Sequence, residues 1–289
     1  DRENGVVGED SVDGLSSGLD ALESPAAVPA RRRRGLDGRS AAPFLALVCV
    51  LAVWQLTSGL GLLPALPAPA AVWGALAERW RDGTLLPALG NSAARTALGF
   101  GASVLVGAPL GLFVARYAVL RTIVAPVLSA FQALPAAALV PMAVIALGDS
   151  ERAVYAVVLL GAVPSIAMGL LSAVDQIPPL LRRAGRTMGA TGRLAVRKVL
   201  LPAALPGLIA ALRQGWTFGW RALMTAELIT ATPLPGVGRI LGAGKESGDA
   251  AVVLAAVALI LAVGVLVESV VLAPLERRVL RDRGLGGTA

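Results

Sequence analysis

The sequence predicts an all-α, polytopic membrane protein with about six transmembrane helices, for two reasons. First, the 289-residue chain is 56% hydrophobic and only 16% charged. Its mean hydropathy of +0.72 lies far above that of a soluble domain. Second, several stretches without charge approach the roughly 20 residues that cross a bilayer as a helix.

The predicted spans are read from the positions of Asp, Glu, Lys and Arg. Five stretches contain none of these residues, and a sixth is apolar apart from Arg213, Arg221 and Glu227. In chain order the six spans are residues 44–63, 96–115, 122–147, 153–174, 199–229 and 250–267.

Outside the predicted membrane domain, residues 41–275, lie two tails. Residues 1–40 are polar, first acidic and then basic at residues 31–34, which are all Arg. Such a segment cannot bury a core, so we expect a disordered cytoplasmic tail. The Arg cluster either anchors the topology beside the first span or binds a partner. Residues 276–289 form the predicted C-terminal cytoplasmic tail.

The distribution of Lys and Arg predicts the orientation, because cytoplasmic loops carry the excess. With six spans both termini share one side. That side and its loops hold seventeen Lys and Arg, whereas the other side holds six, namely Arg79, Arg81, Arg95, Arg152, Arg239 and Lys245. We therefore predict cytoplasmic termini, and we attribute the basic composition to this signal and to anionic lipid rather than to nucleic acid.

Between the first two spans, Trp73, Leu76, Trp80 and Leu85 recur at near-helical spacing. This pattern predicts an amphipathic external helix at the outer interface, anchored by its two Trp side chains.

The composition also excludes classes of chemistry. The chain has no His and a single Cys, Cys49, which excludes His-based general bases, Ser-His and Cys-His nucleophile pairs and His-ligated metal sites. It contains no GxxxxGK[ST] nucleotide-binding loop. We expect a transport subunit rather than an enzyme, with energy from a partner or an ion gradient.

Residues 177–205 form a basic segment between two apolar spans. Pro178 and Pro179 end the preceding helix and start another at a permitted position. Leu180, Leu181, Ala184 and Met188 then recur at helical spacing, while Arg182, Arg183 and Arg186 occupy the other faces and two Gly residues follow. Such an amphipathic helix either docks on a cytosolic protein or lies on lipid.

The run Arg183–Ala190, followed by Val199, Leu200, Leu201, Pro202 and Pro206, resembles the EAA loop of importer-type ABC transporter permeases. The likeness covers about residues 62–275. It is closest to the branch that serves nitrate, taurine, alkanesulfonates and bicarbonate. Further fragments occur in the order seen in that branch: Leu-Pro-Ala-Pro at 66–69, Asn-Ser-Ala-Ala-Arg at 91–95, Gly-Ala-Pro-Leu-Gly at 107–111, Gln-Ala-Leu-Pro at 132–135, Val-Pro-Ser at 163–165, Ala-Glu at 226–227 and Gly-Val-Gly-Arg at 236–239.

The resemblance implies a homodimer in a bacterial plasma membrane, two cytosolic ATPase subunits that bind ATP and Mg, and an extracytoplasmic solute-binding protein. This chain itself would bind no cofactor. The basic segment would be the coupling helix that contacts the ATPase. By analogy its residues are Arg182, Arg183, Ala184, Gly185, Arg186, Met188, Gly189 and Ala190.

Two residues depart from the family motif. Arg183 replaces the usual Glu, and Gly185 replaces the second Ala. The ATPase groove must therefore accommodate a basic helix, with compensating acidic residues, and pairing with a foreign ATPase is in doubt.

Charge within a span points to a solute path, since an ionisable group at membrane depth costs about 2.5 to 3.5 kcal/mol. We expect Arg213, Arg221 and Glu227 to face the protein interior. Arg221 would attract an anionic head group, or else these charges satisfy one another or backbone carbonyls. Trp216 and Trp220 either line the path or pack. The candidate path residues are Arg221, Gln132, Ser165, Thr217, Trp220, Thr225 and Glu227.

Many relatives carry Asn-Thr where this chain has Met168 and Gly169. The more apolar path favours an organic solute, such as an alkanesulfonate, over nitrate. Two rival classes remain at this stage: a secondary transporter driven by an ion gradient, although no internal repeat is present, and a membrane-embedded enzyme or scaffold.

Overall fold

The computed structural model describes residues 42–61 and 65–281, and all the regular structure in these ranges is helical. The chain divides into two units, residues 1–54 and 55–289. The first contributes most of helix α1 (Ala42–Gly59), and the second holds the later helices. The predicted tail 1–40, with its Arg cluster, lies outside the described residues, as do residues 282–289.

The second unit contains eleven further α-helices in its described part. Two short π-helical turns, Val196–Leu200 and Glu268–Leu272, join α8 to α9 and α11 to α12. The bounds are α2 Pro69–Arg81, α3 Leu85–Arg116, α4 Ala118–Ala133, α5 Ala136–Leu147, α6 Glu151–Asp175, α7 Pro179–Thr187, α8 Gly192–Ala195, α9 Leu201–Ile229, α10 Val237–Ser247, α11 Ala250–Val267 and α12 Ala273–Arg281.

Four helices of the described chain are long and apolar enough to cross a membrane: Leu85–Arg116, Glu151–Asp175, Gly192–Ile229 and Ala250–Arg281. A fifth span results if α4 and α5 are counted together. The first predicted span corresponds to α1, whose apolar part Val48–Gly59 is shorter than a full crossing. The structure thus confirms a helical, polytopic protein and gives four to five candidate spans.

The predicted span at residues 122–147 consists of two helices rather than one. Helices α4 and α5 meet at an angle of 105°. The break falls at Leu134, which is extended with φ −71° and ψ 131°. Proline disfavours helical geometry in the residue before it. Pro135 therefore keeps Leu134 out of α4, which ends at Ala133, and α5 begins at Ala136 in a new direction.

Helix α6 is the centre of the bundle and packs between α3 and α9. Small residues bring the three backbones together. A Cβ at Gly111 of α3 would lie 2.6 Å from the Ala167 oxygen, and one at Gly169 of α6 would lie 2.5 Å from the Ala211 Cβ of α9. The same holds for the GxxxG pairs Gly107 with Gly111 of α3 and Gly215 with Gly219 of α9, where an added Cβ would lie 3.3 Å or less from atoms of α6.

The same contacts define the two ends of the bundle. Residue numbers rise together along the α3–α6 contact and in opposite directions along the α6–α9 contact. Helices α3 and α6 therefore end where α9 begins, beside α7. We call this the α7 end and the other the opposite end.

Helix α2 lies at the opposite end and exposes the two Trp side chains that the sequence predicted as interfacial anchors. Trp73 and Trp80 are 71% and 60% exposed, whereas Leu85 belongs to α3 and is buried. Leu76 and Leu85 pack with Ile240 of α10, a helix the sequence analysis did not predict. Of the four apolar residues in the sequence pattern, the two Leu side chains therefore pack inward against α10, whereas the two Trp side chains stay exposed.

Candidate functional site

A buried polar cluster ties α3 to α9 at the opposite end of the bundle. Glu227 is completely buried and Arg95 is 2% exposed. Arg95 Nη1 donates to Glu227 Oε1 at 2.9 Å. Ser92 Oγ lies 2.7 Å from Glu227 Oε2, and its own oxygen accepts from the Val237 N–H at 2.9 Å. The Glu227 carboxylate is thus held by one cation and one hydroxyl.

The same cluster fixes the segment between α9 and α10. Arg95 Nη2 donates to Thr232 Oγ1 at 3.0 Å and to the Leu234 carbonyl at 2.8 Å, and its guanidinium forms an ion pair with Glu151. The Gly238 N–H donates to Glu227 at 3.0 Å. A Cβ on Gly236 would overlap the Glu227 carboxylate, so this backbone lies directly over the acid.

This cluster explains three of the short sequence fragments. Asn-Ser-Ala-Ala-Arg at 91–95 supplies Ser92 and Arg95, Ala-Glu at 226–227 supplies the acid, and Gly-Val-Gly-Arg at 236–239 supplies the covering backbone. Sequence reasoning did not select Ser92, Arg95 or Glu151 as site residues. The charge of Arg95, just before an uncharged run, was the signal that could have identified it.

Helix α9 carries a polar stripe along its exposed side. Gln214, Thr217, Arg221 and Thr225 follow one another at spacings of three and four residues, which places them on one face. The two Thr hydroxyls donate to the carbonyls four residues earlier, at 3.0 and 2.9 Å. Gln214 is exposed, and the sequence analysis missed it.

Arg221 lies in the middle of this stripe and is exposed on the single chain. Its guanidinium carbon lies 6.0 Å from the Phe218 ring. Within residues 42–61 and 65–281, no acidic side chain forms a salt bridge with Arg221. Glu227, the acidic residue nearest to Arg221 in the sequence, is paired with Arg95 instead.

The other arginine of α9, Arg213, has acidic partners. It forms ion pairs with Glu268 and with Glu276, the latter at 2.9 Å. These contacts join α9 to the end of the last spanning helix.

The remaining candidate path residues are largely engaged in packing. Trp220 is 7% exposed and stacks on Trp216 with ring centroids 6.2 Å apart. Ser165 is buried and donates to the Gly161 carbonyl at 3.2 Å. Gln132 Nε2 donates to the Pro164 carbonyl at 3.0 Å.

The two residues at 168 and 169 face different surroundings. Gly169 packs against Ala211 of α9, so it serves helix packing. Met168 lines an open groove of about 590 Å³ between α4 and α6, together with Ser172. The ion pair of Arg121 with Asp175 closes one end of the same lining.

Helix α7 turns two different faces to its surroundings. Gly185 is buried, and a Cβ there would lie 3.0 Å from Val199 Cγ2. On the other side Leu180 and Met188 are 76% and 85% exposed, and Arg183 and Ala184 are exposed with them. We call Leu180, Arg183, Ala184 and Met188 the outer ridge. Gly189, with φ +80°, ends the turn that follows.

The inner face of α7 forms one wall of a cavity of about 310 Å³. Its lining is basic and small, with three arginines among eight residues. These are Arg116, Arg182, Gly185, Arg186, Ala190, Ala195, Val199 and Leu200. The candidate coupling residues are therefore divided between an outer ridge and an inner basic cavity.

A family model described as the binding-protein-dependent transport system inner membrane component matches residues 107–281, more than half of the chain. The chain belongs to this permease family. The permease is 32% identical over 229 residues to the taurine transport system permease protein TauC of Escherichia coli, covering 77% of this chain and 82% of that protein.

Two other relatives match over most of both chains. The putative aliphatic sulfonates transport permease protein SsuC of Bacillus subtilis is 29% identical, covering 88% of this permease and 91% of that protein. The bicarbonate transport system permease protein CmpB of Synechococcus elongatus is 28% identical, covering 86% and 92%. The solved inward-facing MetNI methionine ABC transporter contains a chain with TM-score 0.58 and 26% identity, covering 68% of this permease and 95% of that chain.

These matches establish a permease subunit of an ABC importer, multi-pass in the inner membrane. Permeases of this kind work with ATPase subunits that hydrolyse ATP separately and with solute-binding proteins, typically as dimers. The permease is accordingly a transport subunit, which decides against the rival classes of gradient-driven transporter and membrane enzyme.

Proposed function

We propose that this permease conducts a small organic anion, of the alkanesulfonate or taurine type, along the polar stripe of α9. The observation that carries the proposal is Arg221, an exposed cation without an acidic partner among the described residues, within the spanning helix Gly192–Ile229 and eight residues before its end. The relatives named for taurine and aliphatic sulfonates support this class of solute.

The cost of charge in lipid supports a protein-lined position for the stripe. An arginine at membrane depth costs about 2.5 to 3.5 kcal/mol even on the lenient scale. A second copy of this chain facing α9 would enclose Gln214, Thr217, Arg221 and Thr225 in a shared water-filled path. Permeases of this family typically work as dimers, which supports this arrangement.

The other candidate path residues take supporting positions in this proposal. Ser165 and Trp220 are buried, and Gln132 is bonded to the Pro164 carbonyl. We propose that they shape the wall of the path behind the stripe. Through its contact with Arg95, Glu227 would fix α9 at the opposite end of the bundle.

Coupling would occur at the outer ridge. Its apolar members Leu180 and Met188 are exposed on a short helix, which suits a hydrophobic groove on a partner. We propose that an ATPase carrying ATP and Mg docks there, with acidic residues facing Arg183. The α7 end and both termini would then be cytoplasmic, and a solute-binding protein would dock at the opposite end.

The test is solute-stimulated ATP hydrolysis and uptake in liposomes containing the permease, its ATPase and its solute-binding protein. With taurine or an alkanesulfonate loaded, wild type is expected to respond and Arg221→Gln to lose most of the uptake. Arg221→Lys should retain part of it because the charge remains. Arg278→Gln, on an exposed site of α12 away from the stripe and the outer ridge, is the matched control.

Two outcomes separate the parts of this proposal. Uptake of neutral solutes only, with Arg221→Gln unaffected, would overturn the anion path while leaving the permease intact. Loss of ATPase copurification on changing the outer ridge tests coupling independently of the solute.

A further inference from the structure

We propose that the cavity behind α7 binds the phosphate group of an anionic phospholipid through Arg116, Arg182 and Arg186. The three side chains line a single cavity of about 310 Å³ whose other walls are small or apolar. This site is separate from the outer ridge and from the stripe of α9, and it holds irrespective of the transported solute.

The first argument is charge. At the α7 end, the acidic residues of the described chain are Asp175, Glu268 and Glu276, and all three are engaged elsewhere. Asp175 pairs with Arg121, and both Glu side chains pair with Arg213. The described chain therefore offers the cavity no carboxylate, and three positive charges remain for an external anion.

The second argument is the hydrogen-bonding capacity that remains in the cavity. Arg182 Nη2 donates to the Val174 carbonyl at 2.6 Å, which uses one of its five N–H donors. Arg116 makes a cation–π contact with the Tyr117 ring at 5.5 Å, a contact that uses none of its N–H donors. Phosphate oxygens accept several such bonds at once and match the planar guanidinium.

The third argument is depth. Arg116 is the last residue of one spanning helix, and Ala195, Val199 and Leu200 lie within the first nine residues of another, Gly192–Ile229. The cavity therefore lies where the spans end, at the level of lipid headgroups rather than out in water. Basic sites between helices at this level bind phospholipid headgroups.

The surface beside the cavity suits acyl chains. Phe113 is 56% exposed one turn before Arg116, and Val196 and Leu201 are about half exposed beside the lining residues Val199 and Leu200. A free phosphate ion would use the arginines alone, whereas a phospholipid would also cover these apolar side chains. The combination favours the lipid as the source of the phosphate.

Because α7 forms one wall, a bound headgroup would link the coupling helix to the end of α3. We infer that anionic lipid holds α7 in its packed position against Val199. This consequence rests on the coupling role proposed above, but the binding itself does not.

The experiment titrates the purified full-length permease, assembled with its ATPase, with short-chain phosphatidylglycerol, phosphatidylcholine and inorganic phosphate, and counts bound molecules by native mass spectrometry. Phosphatidylglycerol should bind specifically. Each Arg→Gln change at Arg116 or Arg186 should weaken it about fivefold, and the pair about 25-fold, since each cation near the headgroup contributes about 1 kcal/mol.

The matched control is Arg193→Gln, which removes the same charge from an exposed site on α8, outside both the outer ridge and the cavity lining, and should leave lipid binding unchanged. Arg116→Lys with Arg186→Lys keeps the charge and should retain most of the affinity, which separates binding from misfolding. Equal binding of phosphatidylcholine, or equal loss in Arg193→Gln, would overturn the site. Inorganic phosphate binding as tightly as the lipid would overturn the phospholipid as its source.

A further outcome concerns a protein occupant. If the permease alone binds phosphatidylglycerol and assembly with the ATPase abolishes that binding, the cavity belongs to the protein interface and the lipid proposal is wrong. Retention of the lipid in the assembled complex supports it.

Discussion

Arg95 Nη1 and Glu227 Oε1 lie 2.9 Å apart although 132 positions separate them in the sequence. Both side chains are buried, and the pair joins the first and third of the long spanning helices at the opposite end of the bundle. The contact holds the segment that leads into α10, because Arg95 also donates to Thr232 and Leu234.

Removing one charge of this pair should destabilise the permease strongly. Glu227→Gln leaves Arg95 buried without one of its two acidic partners, and breaking a buried pair in this way costs about 3 to 5 kcal/mol. The measurement is the thermal unfolding midpoint of the purified protein. Glu246→Gln, an exposed change on α10, should leave the midpoint unchanged. Arg95→Met combined with Glu227→Gln should cost less than the sum of the single changes.

The backbone over Glu227 should be intolerant of a side chain. Gly236→Ala places a Cβ within the carboxylate, so the loop or the acid must move, at a cost of about 1 to 3 kcal/mol. Gly90→Ala is the control, since its Cβ meets no neighbour on α3 and should be neutral or stabilising. Equal midpoints for the two variants would contradict the close packing.

Restoring the usual motif residue at Gly185 should disturb the seating of α7. In Gly185→Ala the new Cβ lies 3.0 Å from Val199 Cγ2, so the helix must shift outward by a few tenths of an ångström. We expect weaker solute-stimulated ATP hydrolysis. Val199→Ala in the same chain removes the contacting methyl group and should restore activity. Failure of this rescue would argue against steric seating.

The charge of the outer ridge should select the ATPase partner. Arg183→Glu reverses the exposed charge that departs from the family motif and should weaken copurification of the cognate ATPase, because its acidic groove would now repel the helix. Arg193→Glu makes the same reversal outside the ridge and should have little effect. Normal copurification of the Arg183→Glu permease would contradict docking through this face.

The apolar side chains of the ridge should carry the docking energy. Changing Met188 to Gln removes an apolar contact from a side chain that is 85% exposed in the single chain. Fold and thermal midpoint should be preserved while ATPase binding weakens by about 1 to 3 kcal/mol. Pull-down at several ATPase concentrations measures this shift. The control is Leu234→Gln, at an exposed side chain between α9 and α10 at the opposite end of the bundle.

Much of the fold was predictable because it depends on local chemistry. Apolar runs located the spans, and Pro178 with Pro179 located the start of α7. The bend at Leu134 was carried by the Leu-Pro pair, yet hydropathy alone could not distinguish a bent pair from one straight span. Helix α10 was missed because residues distant in sequence hold it in place, through its packing against α2 and α11 and through its backbone contacts with Ser92 and Glu227.

The sequence by itself determined the class of protein, since hydrophobic composition and the spacing of charged residues decide where a chain can lie in a bilayer. It also determined the family, because the short fragments that carry the resemblance and their order can be read directly from the chain. Tertiary structure alone decided which charges pair. Glu227 meets Arg95, Arg213 meets Glu268 and Glu276, and Arg221 stays exposed. The physical reason is that ion pairs and the two faces of α7 depend on helices brought together from distant positions, where close backbone packing leaves a single arrangement.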